Sequence, residues 1–232
     1  LGSKTLFKIN NVGFSYSLGS QKICALKNLS LEIPEGNLVT FSGPSGSGKS
    51  TLLNLLGLID EVQEGEIHFL GEKFQKLSTR KKNRLRKKKI GFIFQSFHLV
   101  PVLTAEENVA YFLKRQKLSR KEVKKRTREA LEIVGLWEHR KKKPLQLSGG
   151  QRQRVAIARA LAKKPDVVIG DEITASLDQK TGREIMDILS KLVKNKKITV
   201  ILTTHDSMVQ SYSNLNFHIQ DGELIETTRE AS

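Results

Sequence analysis

Residues 43 to 51 read Gly43-Pro44-Ser45-Gly46-Ser47-Gly48-Lys49-Ser50-Thr51, between a predicted strand, Leu38 to Phe41, and an apolar helical stretch beginning at Leu52. The spacing is GxxxxGK[ST], and a strand that turns through glycines into a helix is the context that gives this pattern its meaning. Glycine lets the backbone approach an anion closely. Successive N–H groups and the helix N-terminus supply positive potential, the Lys49 ammonium reaches β and γ phosphates, and the Ser50 hydroxyl suits Mg²⁺. A phosphate-binding loop is predicted here, and it requires a nearby carboxylate for the metal.

That carboxylate is expected at a strand end. Val167-Val168-Ile169-Gly170 runs into Asp171-Glu172, and in open parallel sheets ligands collect beyond the C-terminal ends of the strands. Asp171 is therefore assigned to the Mg²⁺ shell and Glu172 to orienting or deprotonating a water. An apolar run followed by Asp-Glu alone is equally a strand-to-turn boundary, and the pairing with the phosphate loop decides between them.

The remainder of the chain fits one compact domain carrying an insertion. It has 232 residues, 38% of them apolar and 28% charged, enough to bury a core. The longest apolar stretches, such as Leu52 to Ile59, are interrupted by Asn54 and Gly57 and fall short of the run of about 20 residues that crosses a bilayer. Cys24 is the single cysteine, so an internal disulfide is excluded, and with no apolar signal segment a reducing, cytoplasmic location is expected. Leu1-Gly2-Ser3 resembles a tag remnant.

Short strands are predicted at Leu6 to Asn10, Leu29 to Ile33 and Leu38 to Phe41, then helices between about 96 and 160, then strands again at Val167 to Gly170 and Ile198 to Thr203 around a helix from Thr181 to Val193. Thr104 with Glu107 and Ser119 with Glu122 have capping-box spacing. The order favours an α/β layered fold.

The charge is lopsided: 40 Lys and Arg against 24 Asp and Glu, a formal net charge of +16. Of the basic residues, 21 lie in Arg80 to Lys89, Lys114 to Arg128 and Arg140 to Lys143. Such a surface attracts polyanions, but no aromatic residue lies inside those clusters, so stacking platforms for nucleic acid are not evident. Solvated helix faces, with a weak attraction to anionic lipid, are the other reading.

Leu147-Ser148-Gly149-Gly150-Gln151, continuing through Arg152-Gln153-Arg154-Val155 to Ala160, narrows the subclass. The chain resembles the ATP-binding cassette (ABC) ATPases, whose signature segment this is, from about Leu6 to Ile225. The resemblance implies a P-loop NTPase, RecA-like core with an N-terminal antiparallel β subdomain, over 4–95 and 161–232, and an inserted α-helical subdomain over 96–160. It places Tyr16 at the adenine-stacking position, although a half-buried strand tyrosine is the plainer alternative. Gln95 matches the Q-loop glutamine that contacts Mg²⁺ or the water. Ser176-Leu177-Asp178 matches the D-loop, and His205 matches the switch histidine at the γ phosphate. One departure is Ile173, where many members have proline, which puts the stiffness of that turn in doubt.

The resemblance further implies ATP and Mg²⁺ as ligands and a head-to-tail homodimer, with ATP on one phosphate loop capped by Ser148, Gly149, Gly150 and Gln151 of the other copy. It implies hydrolysis through Lys49, Gln95, Glu172 and His205, and a separate integral membrane transporter subunit docking near Gln95, with the cassette peripheral on the cytoplasmic face. Phe97, Leu99, Val102 and Leu103 would meet that partner or pack inside the insert. Gly57-Leu58-Ile59-Asp60 and the stretch from Phe94 to Val109 look like the branch containing LolD, MacB and FtsE, which serves lipoprotein release, drug or peptide efflux, or mechanotransmission. The alternative is an ATP-switched nucleic-acid-binding member of the family.

Overall fold

The computed structural model describes residues 4–19, 21–196 and 198–229. The expected tag remnant, Leu1 to Ser3, lies outside them.

Two sheets organise the chain. The first is antiparallel and has the order β2-β1-β4-β5, built from β1 (Thr5–Leu18), β2 (Gln21–Pro34), β4 (Glu64–Phe69) and β5 (Glu72–Lys73). The second has the order β10-β9-β3-β8-β7-β6 and comprises β3 (Leu38–Ser42), β6 (Ile90–Ile93), β7 (Val167–Asp171), β8 (Thr199–Thr203), β9 (Leu215–Gln220) and β10 (Glu223–Arg229). Its strands run parallel except for the β9–β10 hairpin. β3 and β8 are buried along their whole length, which is why they read as unbroken Val, Ile, Leu and Thr runs rather than as alternating ones.

Strand period 2 sends alternate residues of this sheet to two different cores. Val39, Phe41, Val167, Ile169 and Ile201 face a core shared with the antiparallel sheet and with Leu52, Leu53, Leu55 and Leu56 of α1 (Lys49–Leu56). Leu38, Val168, Val200 and Leu202 face the other core. That core holds residues of α3 (Ala105–Tyr111), α4 (Arg120–Ile133), α5 (Gly149–Leu161) and α6 (Gln179–Lys196). A short α7 (Ser207–Gln210) follows β8.

Local signals explain the helical block. Thr104 and Glu107 form the expected capping box at the start of α3. At Ser119 only half of one forms: its hydroxyl accepts from the Glu122 amide at 3.2 Å, while the Glu122 carboxylate accepts from Arg126 Nε at 2.6 Å. Thr127, Ala130 and Leu131 are the buried face of α4, as the periodicity requires. α2 (Thr79–Lys88) was not expected from the sequence; it buries no residue and carries most of the first basic cluster.

Candidate functional site

The phosphate loop joins β3 to α1 over the C-terminal edge of the parallel sheet. Gly43 has φ 137, and a Cβ there would lie 1.9 Å from the Ile219 carbonyl oxygen on β9. Gly48 caps α1 with φ 100, and a Cβ there would lie 2.3 Å from the Ala25 carbonyl oxygen on β2. These positions are glycine because two neighbouring strands press on the loop from below. The turn after β9 completes the support: Gly222 donates to the Ser47 carbonyl at 3.1 Å, and Lys27 donates to the Gly222 carbonyl at 2.8 Å. α1 has no acidic residue in its first turn and no side-chain cap, which leaves its N-terminal positive potential unopposed.

Lys49 is buried at 6% exposure, and its ammonium donates to the carbonyls of Gly43 at 2.9 Å and Pro44 at 2.7 Å. Burial lowers its pKa, against a smaller opposite pull from the charges of Glu172 and Asp171. Those carboxylates close the site from β7. Ser50 Oγ donates to Asp171 Oδ1 at 3.2 Å and Oδ2 at 3.0 Å. Asp171 also accepts from Thr203 Oγ1 of β8, and the same oxygen accepts from the Glu172 amide at 3.1 Å. His205 Nδ1 lies 3.3 Å from Glu172 Oε1. One continuous chain of contacts thus links Ser50, Asp171, Thr203, Glu172 and His205. Thr203 is the member the sequence reading missed; its place at the end of β8, in register with Asp171, was the available signal.

Glu172 is held at φ 43, an uncommon conformation for a glutamate. The residue after it shows how the turn does without proline. Ile173 is 1% exposed and its carbonyl accepts from Nε2 of the fully buried Gln153 on α5 at 2.6 Å. Packing and a hydrogen bond from the signature helix hold the turn in place of a ring.

The other expected residues lie around this centre. Tyr16 is 42% exposed and shares a 3.2 Å hydrogen bond with Thr51 Oγ1, its ring edge-on to Phe14. Gln95 is exposed just beyond β6, which ends at Ile93. Ser148 caps α5 in a full capping box with Gln151. Gly149 and Gly150 pack on Leu177 and Thr181, and Asp178 accepts from the Thr181 amide and hydroxyl at 3.0 and 2.7 Å, which lowers its pKa. Among the described residues the hydrogen bonds of this segment are local, so one chain does not bring Ser148 to its own phosphate loop.

No group of three or more His, Cys, Asp or Glu that could hold a metal occurs among the described residues. The oxygen set of Ser50 and Asp171 instead fits a Mg²⁺ whose shell is completed by phosphate and water, the usual mode for this reluctant-to-dehydrate ion.

Comparison with known proteins agrees with this geometry. The family model described as ABC transporter matches residues 26–175. The uncharacterized ABC transporter ATP-binding protein MJ0796 of Methanocaldococcus jannaschii is 45% identical over 223 residues, 94% of this chain and 95% of that one. A solved structure of that cassette, described as a dimeric post-hydrolysis state bound to ADP and Pi, superposes with TM-score 0.89 at 42% identity, covering 98% of this chain and 100% of the other. The lipoprotein-releasing system ATP-binding protein LolD of Pseudomonas fluorescens is 38% identical over 225 residues, 97% of this chain and 99% of its own. A glycine loop cradled over a parallel sheet, a serine and an aspartate converging beside it, and relatives matched end to end lead to one conclusion: the chain belongs to the ABC transporter family, as one of its ATP-binding cassette ATPases.

Proposed function

We propose that two copies of this chain clasp ATP between them and hydrolyse it to drive a separate membrane subunit. The observation that carries the reading is the contact chain from Ser50 to His205 beside Lys49. It gathers the groups that phosphoryl transfer to water needs, with Thr203 holding the two carboxylate residues in place, and in such transfer positioning and electrostatics supply nearly all the acceleration. Lys49 neutralises charge on the β and γ phosphates in place of the loop carbonyls it now contacts. Ser50 and Asp171, with Gln95 from the neighbouring strand end, would hold Mg²⁺, which would offset the negative charge of the phosphates. Glu172 takes the proton of a water as its oxygen bonds to the γ phosphorus and the bond to the ADP oxygen breaks. His205, tied to Glu172, fixes that carboxylate and meets the γ phosphate. Tyr16 offers the aromatic face for adenine.

The signature segment points to the second copy. Ser148, Gly149, Gly150 and Gln151 open a helix N-terminus that suits an anion, yet in their own chain they bond only locally. A γ phosphate on the partner's loop supplies the missing charge, so pairing follows nucleotide occupancy, with Asp178 at the crossing. MJ0796, described as dimeric, supports this arrangement.

No helix among the described residues is long and apolar enough to cross a membrane, and the reading gives the passage across it to a membrane subunit. Its place is the groove beside Gln95 and the helical insert, with the cassette peripheral on the cytoplasmic face. The LolD relatives support lipoprotein release as the transported process. The site reading is tested by phosphate release from ATP in the presence of Mg²⁺ and after its chelation, with Asp171→Asn beside the parent. Mg²⁺-dependent turnover lost in the variant is expected; turnover independent of the metal or of Asp171 contradicts the assignment.

A further inference from the structure

A cavity of about 820 Å³ opens in the helical insert, between α3, α4 and the turn that runs from Trp137 to Lys141. That is the size of a small-molecule site, about 300–1,000 Å³, and none of its residues belongs to the candidate nucleotide site. Half-buried Leu118, Val123 and Trp137, packed on the second core, give it an apolar floor. Its rim is pinned: the amides of Ala105 and Glu106, first in α3, donate to the carbonyls of Lys142 at 2.8 Å and Arg140 at 3.0 Å.

Six cations line the cavity against two carboxylates, Glu106 and Glu107. Both carboxylates are engaged. Glu106 accepts from Lys141 Nζ at 2.5 Å, and Glu107 accepts from the Thr104 amide and hydroxyl, each at 2.8 Å. Lys114, Arg120 and Lys124 have no ion pair among the described residues, although their neighbours Lys125 and Arg126 pair with Glu129 and Glu122. Trp137 holds the other two cations, Arg128 at 5.0 Å and Arg140 at 4.5 Å from its ring centroid. The ring orients them and leaves their charge in place. Arg128 donates to Glu132 through Nε at 2.8 Å; Arg140 gives Nη1 to the Trp137 carbonyl at 3.2 Å, with Nε 4.0 Å from Glu106, so each keeps N–H groups for a ligand. Thr127 stands on the same wall, 6% exposed, and its Oγ1 has no hydrogen-bond partner among the described residues. A buried hydroxyl left without a partner costs stability, which points to one supplied from outside the chain.

We infer that this cavity binds a small organic phosphate, its phosphoryl group among Arg128, Arg140 and the unpaired lysines and its apolar body on Leu118, Val123 and Trp137. Guanidinium forks and lysine point charges around one apolar hollow match a compact, multiply charged oxyanion, and the Thr127 hydroxyl then finds the acceptor it lacks. The second and third basic clusters of the sequence thereby acquire one purpose. They meet here because α4 and the turn after it fold against each other, and the aromatic residue missing from both clusters, Trp137, is brought between them.

Trp137 is the one tryptophan of the chain, so its emission reports on this cavity directly. With ADP and Mg²⁺ present at saturation to occupy the phosphate loop, the full chain is titrated with hexyl phosphate, inorganic phosphate and hexanol, followed by that emission and by calorimetry. Hexyl phosphate is expected to bind saturably and at least about tenfold tighter than either fragment. Arg128→Gln with Arg140→Gln removes the binding and Lys114→Gln with Lys124→Gln weakens it. Lys121→Gln with Lys125→Gln, an equal change in net charge outside the cavity, leaves it intact. Thr127→Val loses about tenfold in affinity while its melting temperature holds or rises, a split that a hydroxyl serving the fold alone would not give. Vesicles of phosphatidic acid in phosphatidylcholine distinguish the source: cosedimentation lost in the double arginine variant assigns a lipid headgroup, and hexyl phosphate binding without cosedimentation assigns a soluble phosphate. No saturable binding at millimolar hexyl phosphate, equal affinity for hexyl phosphate and its fragments, equal effects of the two double lysine variants, or unchanged affinity in Thr127→Val overturns the inference. Tighter binding of a hexaglutamate peptide than of hexyl phosphate overturns it as well, in favour of an acidic protein.

Discussion

Replacing Glu172 with glutamine separates chemistry from folding at the candidate site. Among the described residues the side chain has one hydrogen-bonding partner, His205 Nδ1 at 3.3 Å, and the histidine side of that pair is 66% exposed. Such a pair contributes about 0–1 kcal/mol to stability. The amide of residue 172 keeps its bond to Thr203 Oγ1, so thermal unfolding should shift by no more than about 2–4 °C in a domain of this size. A general base, by contrast, contributes about 10²–10⁴ in rate, or about 2.7–5.5 kcal/mol of barrier. Steady-state phosphate release from Mg²⁺-ATP should therefore fall by about that factor while the melting curve hardly moves. Glu172→Gly sharpens the contrast. Glycine relieves a left-handed backbone that costs about 1–3 kcal/mol, against about 0.4–1 kcal/mol lost to the greater entropy of the unfolded chain, so stability should hold or rise as turnover disappears. Turnover within about threefold of the parent in the glutamine variant, or collapse of the fold in either variant, refutes the reasoning.

Two further changes report on the surroundings of the site. Lys163, with its pKa pulled to about 8 against 10.5 in the unfolded chain, binds fewer protons when folded between those values, so its contribution makes stability rise with pH across that window, by up to about 3 kcal/mol. Urea unfolding of the parent and Lys163→Met at several pH values should show the parent gaining on the variant from pH 8 upward; parallel curves contradict the buried charge. Gly43→Ala puts a Cβ 1.9 Å from a backbone oxygen of β9. The loop must move, at about 1–3 kcal/mol of stability, and nucleotide affinity measured by titration calorimetry should fall with it; unchanged affinity would mean the loop is not held as described.

The residues best read from sequence are those whose local backbone does the work. The phosphate loop demands glycine at fixed places, and β3, β7 and β8 are buried on both faces, so their composition announces them. α2 announces nothing: with no buried residue it has no apolar period, and what starts it is a single cap, Ser78 accepting from the Lys81 amide, followed by straight-chain cations of good helix propensity. β9 did carry a signal, since Leu215, Phe217 and Ile219 alternate with less buried residues, whereas β10 is exposed nearly throughout and exists because β9 pairs with it. Arg159 and Gln153 resisted reading for another reason. A buried arginine gripping two carbonyls, and a buried glutamine holding the Ile173 carbonyl, make sense only after the chain between them has folded. Ser148 presents the opposite case, because its sequence is distinctive while its hydrogen bonds among the described residues are only local, and the partner proposed for it lies on another copy.

Sedimentation velocity of Glu172→Gln with saturating ATP and Mg²⁺, and again with ADP, tests most directly whether the triphosphate joins two cassettes. The account predicts a dimer with ATP that dissociates in ADP and is lost when Ser148 is also changed to an arginine, whose bulk blocks the cap over the partner's loop. A monomer under ATP contradicts it, as does a dimer indifferent to which nucleotide is bound.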